Sequence, residues 1–419
     1  MSESATPALD HPEIDWWTLL TDRAFLANPY PDLKRIQARG PIHYHAASGV
    51  YFVLGHREFG QIVRSPRMGR DTRLWSDGFC TPANRLRDPV AYRLLSEFQP
   101  QMINSNPPDH GRMRAVYEQA FKPNAVAELT PMIQAEADRL LDAMPAGGSA
   151  EFMEQFATPM PLRVLRNLFE IPAEMDGHIA RWSAALIKIG DIMMNPDQKR
   201  DAHDALLEFK NYLRGHLDRR RQNPGNGVID AVIAAFANGT MNEEETLTNL
   251  VAMLIAGHET TVTLIGNGML SLLRHPSQLV RLRENRELAR TAVEEFLRYE
   301  PGGNMILRVA IEDTQVGDMH IPAGALVIGL IGAINRDPAQ FVQPDLLDLS
   351  RHPNPHFTFG GGIHMCIGAP LARLEARIAF NSVLDRYPRI ELDGEPEWRL
   401  DRINARGLGR LPVRLGPTP

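Results

Sequence analysis

The sequence is poor in cysteine: Cys80 and Cys366 are the only two among 419 residues. Two thiols are too few for a disulfide scaffold and suit a reducing compartment. Long apolar runs are also missing. No stretch reaches ~18 uninterrupted apolar residues, so no membrane-spanning helix is predicted. Between Met1 and Asn28 the chain carries Asp10, Glu13, Asp15 and Asp22, where a secretory signal needs a basic start and an apolar middle. Basic charge is not in excess. Lys and Arg number 45 against 51 Asp and Glu, a net charge of −6, which argues against a general nucleic-acid binder. Internal repeats and low-complexity segments are absent. The chain therefore reads as a soluble, cytoplasmic protein with neither nucleic-acid nor membrane partners; a monomer is the expectation, which composition does not decide.

What is present is mostly helical periodicity. From 109 to about 300, apolar residues recur at spacings of three and four. One helix begins near Asn242 with Glu243, Glu244 and Glu245 in its first turn, which suits the helix dipole. It can run without proline to Arg274, on the order of 45 Å. Strand-like pieces occur at 41–54 (Ile42–His45, Val50–Leu54) and after 301, in Met305–Val309, Gln315–Ile321 and Leu326–Ile331. The prediction is a mainly α fold with a minor β part (α+β). Residues 1–10 are expected to be disordered. Residues 11–416 should form one domain, helix-rich over about 109–300 and β-rich over about 41–54 and 301–419.

Unusual chemistry gathers in Phe359-Gly-Gly-Gly-Ile-His-Met-Cys-Ile-Gly-Ala-Pro-Leu-Ala-Arg373. Three successive glycines allow close approach to a flat ligand. Cys366 stands just before a helix that Pro370 helps to start, where amide N–H groups favour a thiolate. No GK[ST] follows the glycines, so this is not a phosphate loop. On the long helix lies Ala256-Gly-His-Glu-Thr-Thr261. Gly257 weakens the helix, and the Thr260 hydroxyl can bond back to the carbonyl of residue 256 or 257. Glu259 and Thr260 supply an acid and an alcohol for proton transfer. His258-Glu259 begins like a zinc-protease H-E-x-x-H, but position 262 is Val, which excludes that reading. Glu295-Phe-Leu-Arg298 places opposite charges on one helix face. In Asn106-Pro-Pro-Asp-His-Gly-Arg-Met-Arg114, His110 and Arg114 are spaced i,i+4 and can face one carboxylate.

Together these segments resemble the cytochrome P450 family. Phe359, Gly360, Gly362, His364, Cys366, Gly368, Leu371, Ala372 and Arg373 match its F-G-x-G-x-H-x-C-x-G-x-x-L-A-R signature. The 256–261 segment is similar to its oxygen-activation motif, and Glu295 to Arg298 to its E-x-x-R. Residues 106–114 resemble D-P-P-x-H-x-x-x-R, with Asn106 where Asp is usual. The resemblance implies the P450 fold, with the long helix crossing haem b and Cys366, not Cys80, as the iron ligand. It implies cofactor contacts from Ala256, Gly257, Phe359, Gly360, His364 and Gly368. Propionate contacts would come from His110, Arg114, Arg308 and His356. Glu295 and Arg298 would be a buried structural pair, closed by Arg351 or Arg336.

The implied reaction is monooxygenation, with Glu259 and Thr260 delivering protons to bound dioxygen. Electrons would come from NAD(P)H through a 2Fe–2S ferredoxin and its reductase. The ferredoxin would dock around Arg112, expected to point to solvent, with Arg373 and Arg377 extending the patch. By resemblance, a small hydrophobic substrate (terpenoid, alkyl aromatic or fatty acid) would meet Phe79, Phe98, Asn249, Met253, Asn304, Met305 and Asn404. Competing readings are a peroxygenase or dehydratase of the same fold, a haem carrier or gas sensor, and a binding module with a structural cysteine. The acid–alcohol pair argues against the first two. The third leaves the four matched segments unexplained.

Overall fold

The computed structural model describes residues 14–417, so the disorder expected for residues 1–10 lies outside the described residues. The long helix spans Glu243–Arg274. Asn242 caps it: its side chain accepts from the Glu245 amide at 2.9 Å, while the Glu245 carboxylate accepts from the Asn242 amide at 3.0 Å. This reciprocal pairing satisfies two amides that a helix start otherwise leaves orphaned. The 32 residues give a rod of about 48 Å, buried on most of its circumference. Such a helix must be threaded through the core, and it packs on Pro159–Leu168, Pro196–Gln222, Ala289–Tyr299 and Ala369–Arg386. Close crossing needs small residues. A Cβ on Gly257 would lie 2.8 Å from Leu165 Cδ1.

Beside this helical body stands a five-stranded sheet. In spatial order its strands are Ile42–His45, Val50–Val53, Leu326–Leu330, Met305–Ala310 and Met68–Gly69. Val50–Val53 runs parallel to Leu326–Leu330, and the other pairings are antiparallel. Met305–Ala310 thus lies between Leu326–Leu330 and the short edge strand, which fixes what stands beside Arg308. Strand Gly148–Glu151, inside the segment read as helical, joins Pro412–Leu415 and Ile390–Leu392 in a second sheet. It is too short and too poor in apolar residues to show a strand period. No helix among the described residues is long and apolar enough to cross a membrane.

The Glu295/Arg298 pair is completely buried. Arg298 grips Glu295 through Nε and Nη2, both at 2.8 Å, and donates further to the carbonyls of Asn335, Pro344 and Leu346. Arg351 closes the pair, with Nε 3.2 Å from both Glu295 oxygens. Arg336 goes elsewhere, to the Tyr299 carbonyl and Asp345. A buried ion pair holds only when its remaining donors are satisfied, and here backbone carbonyls satisfy them. The pair ties the Ala289–Tyr299 helix to the loop that leads into the cysteine segment.

Candidate active site

The cysteine loop takes its shape from glycine. Gly360 and Gly362 have φ of +69° and +67°. A Cβ on Gly362 would come within 2.1 Å of the Val63 carbonyl oxygen. The loop is closed by the Cys366 amide donating to the Phe359 carbonyl at 2.9 Å, and a helix starts at Ala369. Burial pushes the Cys366 thiol up. The amides of Gly368 and Ala369, with Arg114 and Arg373, oppose that shift without cancelling it.

Cys366 opens into a cavity of about 440 Å³. One wall belongs to the long helix: Asn249, Met253, Ala256 and Thr260 line it. The Thr260 hydroxyl donates to the Ala256 carbonyl at 2.7 Å. Phe98, Leu186, Ile187 and Ile189 make the remainder apolar. Phe359, Gly360 and His364 flank the cysteine, and Arg114 and Arg308, with the His110 ring beside them, form a cationic end. The His110 and His364 rings stand 4.2 Å apart. Burial, then His110, Arg308, Arg70 and Arg114, push His364 down to about 2. Burial also lowers His110, with Arg114 adding to the effect.

Several expected contacts are corrected. His356 lies outside the cavity lining: its Nε2 pairs with Glu294 at 3.1 Å, and Arg373 binds the same carboxylate at 2.6 and 2.9 Å. Asn304 and Met305 line a separate small cavity beside Leu26 and Tyr30. The reason is the phase of the strand. Side chains alternate, so Ile306 and Arg308 face inward while Met305 and Leu307 pack against the opposite cluster. Asn404 stands behind the wall and donates to the Ile187 carbonyl at 3.1 Å. Phe79 sits in the outer layer, 6.4 Å from the Tyr92 ring. Gly257 faces Leu165, away from the cavity lining, and Gly368 serves as the N-cap of the last helix.

Glu259 also points elsewhere. Its carboxylate is 3.0 Å from Arg399 Nη1 and 3.7 Å from Arg402 Nη1, and it does not line the cavity. Arg112 is corrected too. It binds both oxygens of Glu245 at 2.7 and 3.0 Å and Asp109 at 2.8 Å, so its charge is spent inside the fold. Arg373 is likewise occupied by Glu294, whereas Arg377 is exposed. Asn249 has a second duty. Its Oδ1 accepts from the Met102 amide at 2.9 Å, and its Nδ2 donates to the Glu245 carbonyl at 2.7 Å.

The donor set fits haem. No Asp or Glu lines the cavity among the described residues, while arginines and histidines crowd one end. Arg308 Nε and His364 Nε2 are buried without a hydrogen-bond partner. A flat apolar ligand with carboxylates at one edge would satisfy them, and Cys366 would supply a thiolate to its metal.

Comparison with known proteins agrees. A family profile for cytochrome P450 matches residues 77–412. This chain belongs to the cytochrome P450 family. The biotin biosynthesis cytochrome P450 of Bacillus subtilis is 36% identical over 393 residues, covering 93% of this chain and 96% of that protein. The cytochrome P450 monooxygenase PikC of Streptomyces venezuelae is 36% identical over 401 residues, 93% of this chain and 92% of that one. A solved structure of P450BioI in complex with acyl carrier protein carrying hexadec-9Z-enoic acid superposes with a TM-score of 0.85 at 34% identity. It covers 94% of this chain and all of that one. The protein is a haem-dependent P450 monooxygenase, an oxidoreductase that incorporates molecular oxygen.

The cavity also holds a residue that sequence reasoning missed. Arg70 lines the cationic end beside Arg308. Nothing local marks it; it arrives there because Met68–Gly69 pairs with Met305–Ala310.

Proposed function

We propose that this P450 hydroxylates an extended apolar substrate, best fitted by a fatty acyl chain, at a C–H bond held near Thr260. The observation that carries this reading is the single cavity in which Cys366, Thr260, an apolar wall and a cationic end meet. The relative that accommodates a hexadecenoyl carrier protein supports the substrate class. Bound haem supplies the activation of dioxygen.

The protein's own residues do the rest. Cys366 holds the cofactor as its thiolate ligand. His110, Arg114, Arg308 and His364 anchor its carboxylates. Phe98, Leu186, Ile187 and Ile189 exclude water and align the chain. Thr260 passes a proton from its hydroxyl into the cavity, and a rotation of Glu259 away from Arg399 and Arg402 would bring the proton that replaces it.

Electrons come from NAD(P)H through a 2Fe–2S ferredoxin and its reductase. The ferredoxin docks on a groove beside the helix that follows Cys366. Arg290 and Arg377 are exposed there and bind no acid among the described residues. These two replace Arg112 as the steering charges.

The test adds dodecanoic, tetradecanoic and hexadecanoic acids to the purified holoprotein and follows the Soret shift. Turnover with NADH, a surrogate ferredoxin and its reductase then follows under ¹⁸O₂. The expected product is the acid enlarged by one ¹⁸O atom. If no fatty acid shifts the band while a terpenoid or alkyl aromatic does, the substrate class is wrong.

A further inference from the structure

Arg70 and Arg308 are neighbours by strand pairing. Gly69 lies opposite Val309, so the residues that follow and precede them stand side by side. The Arg70 backbone is fixed there, its amide donating to Asn106 Oδ1 at 2.7 Å. The two guanidinium groups then converge on one acceptor. Arg70 Nη1 donates to the Leu307 carbonyl at 3.1 Å, and Arg308 Nη1 donates to the same oxygen at 2.9 Å. Arg70 has one further acceptor, the Ile103 carbonyl, 3.1 Å from Nε.

Neutral carbonyls do not balance two positive charges. A guanidinium offers five N–H donors, and these two arginines share few acceptors. Arg308 Nε is buried and unpartnered. No Asp or Glu lines this end among the described residues. Arg114, by contrast, has an acid of its own, Glu118 at 3.2 Å. Desolvation disfavours the charged form of both groups, though both stay charged near neutral pH. Burial pulls Arg70 down to about 10, and burial together with Arg70 pulls Arg308 down to about 9. Like charges in a desolvated pocket are tolerated when an anion shares them.

We propose that Arg70 is a carboxylate-binding residue of this cavity, clamping one carboxylate jointly with Arg308. The assignment rests on the haem-binding reading of the site. The carboxylate belongs either to a haem propionate or to an acidic substrate, and the chemistry of recognition is the same. In either case Asn106 is a positioning residue, because it holds the Arg70 backbone and not the ligand.

The experiment compares the holoprotein with Arg70→Met and Arg70→Lys. The first readout is the rate of haem transfer to excess apomyoglobin. The second is the affinity for tetradecanoic acid relative to its methyl ester, from the Soret shift. Loss of a charge-assisted contact predicts about a tenfold change in one readout or both for Arg70→Met. Arg70→Lys should recover part of it, since a point charge remains. Faster haem transfer with an unchanged acid-to-ester ratio assigns Arg70 to a propionate. Unchanged transfer with lost acid preference assigns it to the substrate. If Arg70→Met matches wild type in both, or if Arg70→Met and Arg70→Lys fall equally in both, the proposal is overturned. A wild-type protein that takes up no haem would instead sink the reading of the cavity itself.

Discussion

Arg373 grips Glu294 through both carboxylate oxygens, Nε to Oε1 at 2.6 Å and Nη2 to Oε2 at 2.9 Å. His356 completes the cluster, and the Arg373 guanidinium lies 4.6 Å from the centre of the Phe359 ring. The cysteine loop, the helix after it and the Ala289–Tyr299 helix are thereby joined by one carboxylate.

The first prediction concerns acid stability. Burial would raise Glu294, but His356 and Arg373 outweigh it and hold the carboxyl down at about 2, against an ordinary value of 4.5. A depressed acid contributes stability that is complete above about 4.5 and is lost as pH falls toward 2. Glu294→Gln should lower stability at pH 7 by about 1–3 kcal/mol and flatten the pH dependence below 4.5. Urea titrations at pH 7, 4 and 3 read both effects. Parallel curves for the two proteins would show that the carboxylate is not the titrating group.

The second prediction separates the two cysteines. Cys366→His should replace the red-shifted Soret band of the reduced, CO-saturated protein with a histidine-like one. Cys80→Ser should leave the band where it is. Loss of the band in folded Cys80→Ser would overturn the assignment of Cys366.

The third concerns proton delivery. Thr260→Ala should consume NADH while releasing mostly peroxide or water in place of product. Arg399→Gln frees one partner of Glu259, 3.0 Å away, and should alter the solvent isotope effect on turnover without changing the CO spectrum. Full coupling in Thr260→Ala would reduce Thr260 to a helix residue bonded to its own backbone.

The fourth locates the electron donor. Arg377→Glu, alone and with Arg290→Glu, should slow reduction by ferredoxin on the order of tenfold at low salt. The difference should shrink as salt rises, and reduction by dithionite should not change. Arg112→Glu should unsettle the fold, because it sets like charge against Glu245 and Asp109. Ferredoxin rates insensitive to Arg377 and Arg290 at every ionic strength would move the docking face elsewhere.

What was legible in the sequence was local. His110 with Arg114, Glu295 with Arg298, and Asn242 with Glu245 are three or four residues apart, so helix geometry alone brings each pair together. The strands after residue 301 were legible in position but not in phase. Asn304, Met305 and Ile306 could all be placed near the cavity from the sequence, but only the strand's alternation shows that Ile306 faces it while Met305 turns away. Distant partners left no trace at all. Arg399 is 140 residues from Glu259, and Glu245 is 133 from Arg112. Each of those contacts redirects a charge whose surroundings looked open from its own segment. Arg70 was invisible for the same reason, since only strand pairing carries it to the cavity.

Asn249 couples two parts of the cavity wall that are otherwise separate. It holds the Met102 amide on one side and the Glu245 carbonyl on the other, while Glu245 in turn carries Arg112. The stretch from Phe98 to Asn104 is therefore keyed to one amide on the long helix. Replacing Asn249 by a side chain without an amide oxygen would leave the Met102 amide unmatched, so a change of substrate range made at one of these places has to respect the other. For engineering, the two segments form a single cassette.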